Sequence, residues 1–78
     1  MIRKTEKLVI TFYTTTEAMA MERLCRERMA PGRLIPVPRQ ISAGCGLAWC
    51  ADPGGEEALT DLMRRGGITH QEIHRCLV

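Results

Sequence analysis

Lys7-Leu8-Val9-Ile10-Thr11-Phe12-Tyr13-Thr14-Thr15-Thr16-Glu17-Ala18 is where the chain declares its architecture. Its first seven residues alternate and are rich in β-branched and aromatic side chains, which predicts a strand. The pattern then changes. Thr14 precedes Glu17 by three residues, the spacing of a capping box at a helix start. Beyond it Ala18, Met21, Leu24, Cys25 and Met29 fall on one side of a helix, with Glu22, Arg23, Arg26 and Glu27 mostly on the other. Pro31-Gly32 is the expected stop.

Working outward, Arg33 to Val37 reads as a second strand, limited by Pro36 and Pro38, and Pro38 to Gly44 as a loop. Leu47 to Ala51 reads as a third strand. Asp52-Pro53 then has the form of a helix start, an acidic N-cap followed by proline at the first helical position. Ala58, Leu59, Leu62 and Met63 supply the apolar stripe of that helix, and Gly66-Gly67 its left-handed cap. Glu72 to Val78 alternates again, with Ile73, Arg75 and Leu77 on one face and His74 and Cys76 on the other. The order βαββαβ predicts an α+β, ferredoxin-like domain over residues 1–78, a four-stranded antiparallel sheet with two helices on one face.

Size and composition narrow the function classes. The 78 residues carry a hydrophobic fraction of 45% and a formal net charge of +2. That balance suits a small globular domain with a thin core and not a disordered segment. The charge is far from the basic excess of a dedicated nucleic-acid binder. A base-stacking sheet would also need aromatics to spare, and Phe12, Tyr13 and Trp49 are the whole set. Trp49 reads as a core anchor and the five methionines as core filling. No stretch approaches the roughly 20 apolar residues that span a bilayer, and the N-terminal residues do not form a secretory signal. The expectation is therefore a cytoplasmic protein with reduced cysteines and neither a membrane nor a nucleic-acid partner. An open sheet edge on so small a core makes a homodimer an expectation as well.

The chemistry concentrates at Arg33-Leu34-Ile35-Pro36-Val37-Pro38-Arg39-Gln40-Ile41-Ser42-Ala43-Gly44-Cys45-Gly46-Leu47. Two prolines and a long connection between two strands mark a shaped loop, the usual home of functional residues. Glycines on both sides of Cys45 permit close backbone approach and positive φ. Successive N–H groups in such a turn form an anion site, and an anion site beside a thiol favours the nucleophilic thiolate. Arg39, with Arg33 as a second cation, would reinforce it. The competing reading is a small residue in a tight turn, and the two stand side by side on the sequence.

The other cysteines read as structural. Cys50 lies five residues after Cys45, which is not the spacing of a redox pair and places the two on opposite faces of a strand. Cys25 belongs to the apolar stripe of the first helix, and Cys76 to the last strand. His70, His74 and Cys76 match no standard zinc spacing, so no metal is expected. No acid pair, phosphate loop or base adjacent to Cys45 points to multistep catalysis, and no cofactor is implied.

The central stretch resembles the selenium/sulfur (Se/S) carrier protein-like family of small bacterial domains. The resemblance covers nearly the whole chain: Leu8-Val9-Ile10-Thr11-Phe12, the threonines before Glu17-Ala18, Arg33 to Arg39, Ile41-Ser42, Gly44-Cys45-Gly46-Leu47, the Asp52-Pro53 helix start and the closing strand. It implies that Cys45 accepts sulfur or selenium as a persulfide or perselenide and passes it from a donor protein to an acceptor protein. It further implies that Pro36, Pro38, Arg39, Ser42, Gly44 and Gly46 shape and charge the pocket. Cys50 is not part of the shared pattern. The alternative from a different class is a non-catalytic module that binds a protein or small ligand through a loop in which Cys45 is structural.

Overall fold

The structure is a computed structural model and describes residues 5–41 and 44–77. Strands β1 (Glu6–Thr11), β2 (Arg33–Pro36), β3 (Leu47–Ala51) and β4 (Ile73–Leu77) form one antiparallel sheet in the order β2-β3-β1-β4. Helix α1 (Thr15–Glu27) joins β1 to β2, and α2 (Glu56–Gly66) joins β3 to β4. This is the ferredoxin-like arrangement that the order of elements predicts.

Period-2 alternation decides the two faces of the sheet. Leu8, Ile10 and Phe12 point to one side, with Trp49 and Ala51 beside them, and pack against Ala18, Met21 and Cys25 of α1 and Leu59 and Met63 of α2. Both helices therefore lie on one face. Trp49 is locked from two directions: its indole N–H donates to the Pro31 carbonyl oxygen at 3.1 Å, and its ring fills the space beside Gly32. Gly32 has a φ of 113°, and a Cβ there would overlap the Trp49 Nε1.

The second face is covered too. Val9 and Ala48 project away from the helices, and Ile41, from the β2–β3 loop, packs down on them with Ile35, Val37 and Cys76 around it. The loop continues the β2–β3 ladder by one bond, Val37 N–H to the Gly46 carbonyl at 2.9 Å. It then turns through Pro38–Ile41, closed by the Ile41 N–H donating to the Pro38 carbonyl at 2.9 Å. The Gln40 amide donates to the Leu77 carbonyl on the outer strand β4 at 2.9 Å. The connection is thus a strap laid across the sheet.

The sequence boundaries shift at several elements, β2 among them, which ends at Pro36 rather than Val37. β1 stops at Thr11: Phe12 still fills the core, while Tyr13 is exposed and starts the turn into α1. The capping box forms as expected, with Thr14 Oγ1 accepting from the Glu17 N–H and the Glu17 carboxylate accepting from the Thr14 N–H. α1 then ends at Glu27, before Pro31-Gly32, because Met29 adopts a φ of 55° and the Met29 and Ala30 N–H groups turn back on Arg26 and Cys25. Asp52-Pro53 starts a 3-10 turn, Pro53–Gly55, and α2 follows at Glu56. The Asp52 carboxylate caps nothing; it pairs with Lys7 Nζ at 2.7 Å. In α2 Leu59 and Met63 are buried, whereas Ala58 is exposed, and Gly67 supplies the left-handed cap at a φ of 70°. β4 begins one residue later than expected, at Ile73, and Val78 lies outside the described residues.

Candidate functional site

The antiparallel register brings four strand ends together. Thr11 faces Ala48, Ile10 faces Ile73, and Pro36 faces Leu47. The end of β1, the starts of β3 and β4 and the end of β2 therefore meet at one end of the sheet. Gly44-Cys45-Gly46 sits there, just before β3.

Each residue of the tripeptide has a distinct backbone reason. Gly44 lies so close to the β1–α1 turn that a Cβ on it would stand 2.5 Å from the Phe12 carbonyl oxygen, 2.9 Å from Gln71 Oε1 and 3.4 Å from the Tyr13 Cα. Only a residue without a side chain fits. Gly46 has a φ of 85° and open space around it, so its requirement is conformational. Between them the Cys45 N–H donates to the Phe12 carbonyl at 3.4 Å. The Cys45 side chain is half-buried, packs against the helix-side core, and donates its S–H to the Leu47 carbonyl at 3.5 Å.

The other sequence-singled residues are placed as follows. Pro36 closes β2 opposite Leu47, and Pro38 opens the strap turn. Arg39 is exposed on that turn, which lies over the helix-free face, whereas Cys45 packs on the helix side. Arg33 pairs with Cys50 at the opposite end of β2. The structure thus gathers Gly44, Cys45 and Gly46 at one point and sets Arg33 at the far end of β2. Ser42 lies outside the described residues.

The remaining thiols are spatially separate. Cys25 is buried in the helix–sheet core, and burial pushes its pKa up to about 11. Cys50 and Cys76 lie on the helix-free face, on the two strands that flank β1. Burial and then the neighbouring Cys50 raise the pKa of Cys76. Cys45 and Cys50 are on opposite faces, as the odd spacing predicts. His74 Nε2 lies 2.9 Å from the Glu72 carboxylate. Among the described residues no group of three or more His, Cys, Asp or Glu side chains has the geometry to hold a metal ion. Phe12 and Trp49 are buried on the helix side, so neither offers a stacking surface on the helix-free face. Among the described residues no helix is long and apolar enough to cross a membrane.

Sequence reasoning missed the groups around the tripeptide: the carbonyls of Phe12 and Leu47, which accept from Cys45, and the side chain of Gln71, which stands beside Gly44. Backbone carbonyls carry no residue signature. Gln71 is remote in sequence, and only the meeting of β1 and β4 at this end of the sheet reveals it.

No curated protein and no solved structure matches the chain significantly. A family model described as "Putative Se/S carrier protein-like" matches residues 7–75, from the start of β1 into β4 and through the Gly44-Cys45-Gly46 turn, and the chain belongs to that family.

Proposed function

We propose that the protein carries sulfur or selenium on Cys45 and hands it to a partner protein. The observation that carries this reading is the construction of the Cys45 turn. Gly44 is docked against the end of β1, Gly46 holds a left-handed φ, and the thiol is left half-buried at the sheet end in a chain of the Se/S carrier-like family. A donor protein and an acceptor protein are the partners. Gly44 and Gly46 shape the turn, Pro36 and Pro38 set the path of the loop on its far limb, and Arg39 and Ser42, the latter outside the described residues, are the further residues that this reading assigns to the pocket.

The chemistry needs a nucleophile and a partner, and no cofactor. The Cys45 thiolate attacks the outer sulfur or selenium of a donor persulfide or perselenide. A bond forms from Cys45 Sγ to that atom, the donor's own bond to it breaks, and the donor leaves as a thiolate that takes up a proton. Delivery is the same displacement with Cys45 as the leaving thiolate. No electrons are gained or lost overall.

The test is intact-mass analysis after incubation with a cysteine desulfurase and cysteine, or with a perselenide donor. The expected result is a gain of one sulfur or selenium atom, removable by a thiol reductant and lost in Cys45→Ala. An adduct that persists in Cys45→Ala, or none on the wild type, overturns the reading.

A second reading draws on the Cys45 S–H bond to the Leu47 carbonyl. In it Cys45 is a fastener within a binding module and the loop is a docking surface. Full partner binding by Cys45→Ser, with an ordinary alkylation rate at Cys45, supports that reading.

A further inference from the structure

We infer that the side-chain amide of Gln71 is the hydrogen-bond donor that receives the anionic sulfur of Cys45, whether thiolate or the outer atom of a persulfide; the persulfide part rests on the carrier reading above.

Gln71 is held rigidly at the base. Its N–H donates to the Thr11 carbonyl at 2.7 Å, and the next residue's N–H donates to Thr11 Oγ1 at 3.1 Å. The Thr11 N–H returns a bond to the Glu72 carbonyl at 2.9 Å, and Thr11 is fully buried. From this anchor the Gln71 side chain reaches Gly44, the residue next to Cys45. Its Oε1 lies 2.9 Å from the point a Gly44 Cβ would occupy. That oxygen is buried and, among the described residues, has no hydrogen-bond partner. Buried amide groups are normally satisfied, so an orphan one calls for an explanation.

The state of Cys45 supplies it. The neutral thiol uses its proton on the Leu47 carbonyl. A thiolate has no proton to give, and in a persulfide Sγ is bonded to the outer sulfur instead. In either form the Leu47 carbonyl is an acceptor facing negative charge, so the anion must turn to a donor. A primary amide carries an acceptor on one branch and two N–H donors on the other, and a half-turn about its terminal carbon–carbon bond exchanges them. The Gln71 amide is therefore able to present N–H groups to the tripeptide when Cys45 is charged. Such a charge-assisted bond is stronger than one between neutral groups.

Gln71→Met keeps the side chain's length and removes its polarity; Gln71→Glu places a carboxylate in the same position. Three quantities are measured on the full chain: the alkylation rate of Cys45 with iodoacetamide, resolved by peptide mass; the half-life of persulfide on Cys45 after desulfurase loading; and the thermal midpoint. Loss of a charge-assisted hydrogen bond predicts that Gln71→Met slows alkylation and shortens the persulfide half-life about threefold or more. The midpoint stays the same or rises, because a buried orphan acceptor is gone. A residue with only a packing role would give the reverse, a lower midpoint with unchanged chemistry. Gln71→Glu is expected to depress alkylation most at neutral pH, with the ratio to wild type recovering as the pH falls through the titration of the new carboxyl. Wild-type alkylation and persulfide half-life in Gln71→Met overturn the inference while leaving the carrier reading intact. A wild type that never loads, together with slowed alkylation in Gln71→Met, overturns the carrier reading and supports the Gln71 donor.

Discussion

At the scale of single residues, Gly44 and Gly46 look equivalent in the sequence and are not equivalent in the fold. A Cβ on Gly44 meets backbone, the Phe12 carbonyl oxygen at 2.5 Å, and backbone cannot rotate away. A Cβ on Gly46 meets nothing, so the only penalty there is a left-handed φ of 85°. Holding a non-glycine residue left-handed costs about 1–2 kcal/mol. Gly46→Ala is therefore expected to lower stability by about 1–2 kcal/mol while the Cys45 turn stays in place. Gly44→Ala is expected to push the turn off the end of β1 and break the Cys45 N–H bond to Phe12. Denaturant titration gives the first outcome, and the amide resonances of Cys45 and Tyr13 give the second. A Gly44→Ala protein with wild-type resonances at both positions would show that the close approach does not hold the turn. The sequence makes the glycines legible as a pair but not this division of labour, since φ depends on local spacing whereas the approach of Phe12 depends on a strand more than thirty residues away.

At the scale of elements, the errors in reading fall where backbone conformation departs from residue preference. α1 is capped at its start by the residues that capping chemistry favours, Thr14 and Glu17, and its N-terminus lies where they place it. Its C-terminus carries no such sign. Met29 takes the left-handed position that glycine usually fills, with a φ of 55°, and the residue is 92% exposed. The sequence therefore points to Pro31-Gly32 as the stop, whereas Gly32 lies against Trp49. The substitution Met29→Gly removes the strain and gives up almost no packing. It is expected to raise stability by about 1 kcal/mol in denaturant titration; unchanged or lower stability would show that Met29 pays no conformational penalty. Asp52 misleads in the same way, because Lys7 claims the carboxylate that would have capped a helix. The order and type of the elements survive these local exceptions because each rests on a run of alternating or helix-spaced side chains rather than on one residue.

At the scale of the whole molecule, the sheet has a second hydrophobic cluster that the element order does not announce. A ferredoxin-like sheet with helices on one face leaves its other face open, and here Val9 and Ala48 would stand bare on it. The strap covers them. Ile41 is 8% exposed over Val9 and Ala48, and the Gln40 amide fastens the same turn to the Leu77 carbonyl. The long proline-containing connection thus has a structural duty on one face of the sheet and presents Cys45 at its end. This coupling makes the strap a lever on the thiol. Ile41→Ala removes most of a buried side chain that covers a small cluster, for which a loss of about 2 kcal/mol is expected. If the strap and the Cys45 turn act as one unit, hydrogen exchange will quicken at Val9 and Ala48 and also at Cys45, whose N–H is bonded on the far side of the sheet to Phe12. If they are independent, exchange will quicken at Val9 and Ala48 alone. The second result would mean that the thiol is positioned wholly by its own contacts with Phe12, Leu47 and the Gln71 neighbourhood, and that the strap serves only to cover the sheet.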